Sequence, residues 1–65
     1  MENKLWYAVV TNNDGDWGNG SYDREEAVRM ARECAESGMF LRVDVVTIET
    51  GNDPIAIAEE NIYAE

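Results

Sequence analysis

Thr50-Gly51-Asn52-Asp53-Pro54-Ile55-Ala56-Ile57-Ala58-Glu59 is the stretch on which the fold depends. Read one way, Thr50–Pro54 is a turn and Ile55–Glu59 returns as an antiparallel strand. Read the other way, Asp53 is an N-cap with Pro54 at the first helical position, and Ile55, Ala58 and Ile62 share one helix face. The hairpin is preferred, because the Ile-x-Ile alternation continues from an adjacent strand across a short turn. The choice decides whether the sheet gains a third strand or a second cover.

Working back from that turn, Met39–Glu49 reads as a strand. Leu41, Val43 and Val45 alternate with Arg42 and Asp44, and the phase then shifts to Val46 and Ile48. A bulge near Val45-Val46 accounts for the shift, as does a strand whose second face also meets something apolar. Before it lies a helix, with Asp23 as N-cap and Glu26 completing a capping box. Ala27, Met30, Ala31, Cys34 and Ala35 form its apolar stripe, and Gly38 ends it. Most of those residues are small, so the helix can approach a sheet closely.

The first strand, Leu5-Trp6-Tyr7-Ala8-Val9-Val10, is apolar on both faces. Leu5, Tyr7 and Val9 share one face, and Trp6, Ala8 and Val10 the other. The predicted architecture is α+β: a small two-layer β-α-β-β domain over residues 1–65, with one helix on a three-stranded mixed sheet. The first two strands would run parallel through a right-handed crossover. The alternative makes the segment from Asp53 a second helix. If the segment is a strand, one sheet face lacks a cover, and a second chain is expected against it. Leu5, Tyr7, Val9, Trp17 and Ile57 are the interface candidates.

Sixty-five residues bury only roughly 60% of their unfolded surface, less than larger domains do, and such chains often need a disulfide, a metal or oligomerisation. Cys34 is the only cysteine and there is no histidine, so oligomerisation is the device left. Fourteen acids against five basic residues give a net charge of −9, which disfavours nucleic acid and anionic membranes as partners. No Lys or Arg follows Arg42, whereas Asp44, Glu49, Asp53, Glu59 and Glu60 do, and an acidic surface is expected there. Met1-Glu2-Asn3-Lys4 leads into only a short apolar run, so no signal peptide is expected. With a lone thiol on a helix stripe, the expected location is cytoplasmic.

Chemistry finds little support. Cys34 has no base to activate it, and paired carboxylates need a cleft that so short a chain has little volume to form. A non-enzymatic protein without cofactors is expected. Asn12-Asn13-Asp14-Gly15-Asp16-Trp17-Gly18-Asn19-Gly20 joins the first strand to the helix region and is dense in turn formers. Asp14 and Asp16 are weak candidates for a divalent cation, but no register satisfies a calcium-loop pattern. Trp17 reads either as a contact residue or as a lid on the chain's own core.

Trp6-Tyr7-Ala8-Val9, Asp14-Gly15-Asp16-Trp17-Gly18-Asn19-Gly20-Ser21-Tyr22 and Gly51-Asn52-Asp53-Pro54-Ile55 together resemble small acidic proteins of anaerobic gut bacteria and their mobile elements. The resemblance implies a compact bacterial domain, favours the hairpin after Pro54 and carries no functional residues across. Three functions compete. The first is a protein-interaction module that self-associates, as a homodimer, through an uncovered sheet face. The second is an acidic mimic of nucleic acid that occupies a basic protein. The third is a weak metal or small-ligand binder using the Asn12–Gly20 loop.

Overall fold

The computed structural model describes residues 4–65, and Met1–Asn3, on which the signal-peptide expectation partly rests, lie outside them. The chain runs β1 (Leu5–Thr11), β2 (Gly20–Ser21), α1 (Arg24–Glu36), β3 (Arg42–Glu49) and β4 (Ile55–Ala64). The strands form one sheet in the order β2-β1-β3-β4, antiparallel at every junction, with α1 across one face. No helix among the described residues is long and apolar enough to cross a membrane.

The α+β class, the helix and the hairpin after Pro54 are as expected, but the three-stranded mixed sheet is not. The reason lies in the connection after β1. The chain turns at Asn12 and Asn13, both in the left-handed region, and comes back along β1 as β2, pairing Gly20 with Ala8 and Ser21 with Tyr7. That return is already made when α1 begins, so the helix carries the chain toward the Thr11 end. β3 therefore enters opposite Thr11 and runs antiparallel to β1, from Thr11↔Val43 to Leu5↔Glu49. A parallel pair would need the helix itself to make the return. Gly20 makes this close approach possible, because a Cβ there would lie 2.1 Å from the Tyr7 carbonyl oxygen.

α1 starts as its sequence dictates, with the Asp23 carboxylate accepting the Glu25 N–H at 3.0 Å. The other half of the expected capping box is replaced: Asp23 N–H donates to the Ser21 hydroxyl at 3.0 Å instead of to Glu26. Ala27 and Ala31 are fully buried and let the helix seat closely on Val9, Val43 and Val45. Ile62 and Tyr63 of β4 complete this layer.

The register of β1 with β3 is unbroken through Val45 and Val46, so the expected bulge is not there. The phase change instead marks a strand apolar on both faces. Ala8, Val10, Val46 and Ile48 form a second buried cluster on the side away from the helix, with Trp6 packed against it. The irregularities fall on β4, where pairing skips Ile57 and Ile62. Each is an extra residue in the outer strand, and such bulges twist a sheet edge.

Candidate functional site

The second sheet face is closed by the loop between β1 and β2. Asp14 Oδ1 accepts the Asp16 N–H at 2.9 Å, and Asp16 Oδ1 accepts the Gly18 N–H at 2.8 Å. These side chains thus shape successive turns. The loop is tied down where Trp6 Nε1 donates to the Trp17 carbonyl at 2.7 Å. Trp6 also meets Tyr22 edge-on, with ring centroids 4.8 Å apart. Trp17 keeps 37% of its surface exposed and lines, with Val10, Val46, Ala56 and Glu59, a groove of about 190 Å³. Asp14 and Asp16 are occupied in backbone hydrogen bonds, and no group of three metal-ligating side chains occurs among the described residues.

Two sequence expectations require correction here. Val9 lies in the core under α1 and is unavailable as an interface residue. Asp44 is only 1% exposed and is not part of an acidic surface. Cross-strand pairing sets Asp44 beside Val10 on the loop side, among apolar neighbours. Burial of a carboxylate demands partners, and it has two. Arg42 Nε donates to its Oδ2 at 2.8 Å, and Asn61 Nδ2 to its Oδ1 at 2.8 Å. The hydrogen bond that Arg42 donates to Asp44, then the charge of that carboxylate, raises the Arg42 pKa above its ordinary value.

The remaining candidates gather at the end of the helix-side face that α1 does not reach. A helix of 13 residues spans about 20 Å, against a long dimension of 40 Å for the molecule. Leu5, Glu49 and Ile55 form one row across the sheet, and Tyr7, Thr47 and Ala58 the next. Leu5 is 36% exposed, Ile55 55% and Ile57, at its bulge, 53%, whereas Tyr7 is half-buried against the core.

β4 lies antiparallel on a sheet edge, the place the sequence implies for a strand after Pro54. The contact candidates read from sequence are a face of β1 with Trp17 and Ile57, and not this edge. The strand has ten residues, of which Ile55–Asn61 are all exposed, and no strand pairs with its outer side among the described residues. The opposite edge, β2, has only two residues. An unpaired strand offers a row of backbone donors and acceptors to another chain. Glu59 and Glu60 project from opposite faces of β4. Glu60 pairs with Arg24 of the helix, and Glu59 Oε1 lies 3.4 Å from Arg42 Nη2. Glu49 and Asp53 are exposed at the hairpin end.

Cys34, half-buried, borders a separate cleft of about 290 Å³ with Val9, Met30 and Phe40. The chain contains no histidine to activate it. Comparison with protein-family models, curated proteins and solved structures found no match.

Proposed function

We propose that this chain is a non-enzymatic protein-interaction module whose contact surface is the outer edge of β4 with the apolar end of the sheet beside it. The observation that carries the reading is the run of seven exposed residues, Ile55–Asn61, on a ten-residue edge strand. Long exposed edges invite pairing with other chains, and strand addition is a common mode of peptide recognition. The expected self-association keeps a narrower basis than before, because loop and helix supply covers for both faces of β1. What remains for a second copy is Leu5, Ile55, Ile57 and the edge itself. The nucleic-acid-mimic reading has less charge to draw on, since Asp44 is buried and Glu59 and Glu60 touch arginines of their own chain.

Amide NMR tests the reading. The labelled protein is titrated with itself and with extended peptides that have alternating side chains. Shifts gathered on Ile55–Ala64 are expected. Shifts elsewhere, or none at millimolar concentration of either, overturn it. Replacing both Ile55 and Ile57 by Thr should weaken the contact and leave stability in dilute solution within about 0.5 kcal/mol, as for exposed positions.

A further inference from the structure

Glu59 and Glu60 are the fifth and sixth of the ten residues of β4. They also occupy the middle of its longest stretch in step with β3, Ala58–Asn61, between the bulges at Ile57 and Ile62. Two copies pairing edge to edge about a two-fold axis, in nearly full overlap, would centre on one of these residues. Such an axis keeps each sheet face in common, so Glu59 would stand opposite its own copy on the loop side, or Glu60 opposite its own copy on the helix side, two carboxylates meeting on one face in either register. Like charges directly opposite are destabilising across strands. Registers shifted toward either end centre near Ile57 or Ile62, where β4 is out of step.

The chain's own arginines leave an excess of negative charge. Arg24 meets Glu60 alone, while Arg42 is shared between Asp44 and Glu59, so three carboxylates face two guanidiniums. Each approaching copy also brings a net charge of −9. Charged residues and bulges on an edge strand are the devices by which sheets resist pairing with themselves. They leave the edge available to a strand of opposite charge.

We infer that β4 receives an extended segment of another protein carrying adjacent basic residues opposite Glu59 and Glu60, with apolar residues toward Ile55 and Tyr63. This rests on the module reading above and names its partner by chemistry. Side chains alternate along a strand, so two consecutive basic residues address the two faces separately. One meets Glu59 on the loop side, and the other meets Glu60 on the helix side.

The test uses three synthetic ten-residue peptides of alternating Val and Thr, identical except for a central Lys-Lys, Gln-Gln or Glu-Glu pair. Binding is followed by the amide shifts of β4. The Lys-Lys peptide should bind roughly threefold to tenfold more tightly than Gln-Gln at low salt, with Glu-Glu weakest. The order should collapse in about 1 M salt, where charges are screened beyond roughly 3 Å. The double variant Glu59→Gln with Glu60→Gln, altered only at exposed positions, should bind Lys-Lys and Gln-Gln alike. If all three peptides bind β4 equally, the basic preference falls and the module stands. If β4 responds only to a second copy at low salt, the charge argument is overturned. If it responds to neither peptides nor copies, both readings fail.

Discussion

Replacing Trp6 by Phe tests how the second face of the sheet is closed. The change deletes the Nε1 donor that holds the Trp17 carbonyl at 2.7 Å, and keeps an aromatic ring near Tyr22. A net hydrogen bond of this kind contributes about 1 kcal/mol. Trp6 is half-buried against Ala8, Val10, Val46 and Ile48. Losing about three carbon equivalents of indole, half of their area buried, removes roughly another 1 kcal/mol. The expected cost is therefore about 2 kcal/mol, a large share of the roughly 3–10 kcal/mol available to a chain of this length. With a urea slope near 1 kcal/mol per M, typical at the small end of the size range, the midpoint should fall by about 2 M. The chain has two tryptophans, so the variant leaves Trp17 as the sole indole reporter on the loop. Its quenching by acrylamide in the native state should rise as the tie is lost. A loss below about 0.5 kcal/mol with unchanged quenching would refute the claim that this hydrogen bond secures the cover.

Gly20→Ala should destabilise by about 2 kcal/mol or more, because its Cβ would collide with the Tyr7 carbonyl. Loss of exchange protection at the Val9 amide, which donates to Asn19 O at 2.8 Å, would report the parting of β2 from β1. Asn12 combines a φ of 54° with a side chain that accepts the Leu41 and Arg42 N–H groups at 2.8 and 3.2 Å. Denaturant unfolding of Asn12→Ala and Asn12→Gly should then differ by about 1 kcal/mol in favour of glycine, which escapes the left-handed penalty. Asp44→Ala should lower the thermal midpoint, and Asp44→Val should recover part of the loss by filling the same apolar site. Equal midpoints for the two variants would contradict the burial of the carboxylate among apolar neighbours.

The helix was legible because its signals are local. Asp23, the small-residue stripe and Gly38 lie within one short stretch, and capping does not depend on what packs nearby. The β3–β4 hairpin was legible for a similar reason, since a short turn fixes which strand pairs with which. The direction of β3 relative to β1 was not. It depends on a two-residue strand, Gly20–Ser21, whose identity lies in backbone clearance at a glycine and not in any hydrophobic pattern. The covered second face was half legible. The sequence offers Trp17 as a lid, but its anchor is a backbone carbonyl, which no side-chain pattern reveals. Asp44 offered a missed signal: on its own face of the strand the polar positions stop there and give way to Val46 and Ile48, and an acid at the margin of an apolar face calls for burial with partners. Its partner Asn61 is 17 residues away and joins it only through the register of β3 with β4.

The two edges of the sheet differ in what they offer a second chain. At β2 the edge is two residues long and Gly20 presses against the Tyr7 backbone, so little ladder is left to extend. At β4 ten residues stand at the rim, and the device against self-pairing is charge at the centre with a bulge to either side. The two devices have different consequences. A short edge excludes every partner alike, whereas like charge excludes the chain's own copies and attracts an opposite one. Salt therefore separates the two possible occupants of β4. Screening relieves repulsion between copies and weakens attraction to a basic segment, so self-association should strengthen, and peptide binding weaken, over the same rise in ionic strength.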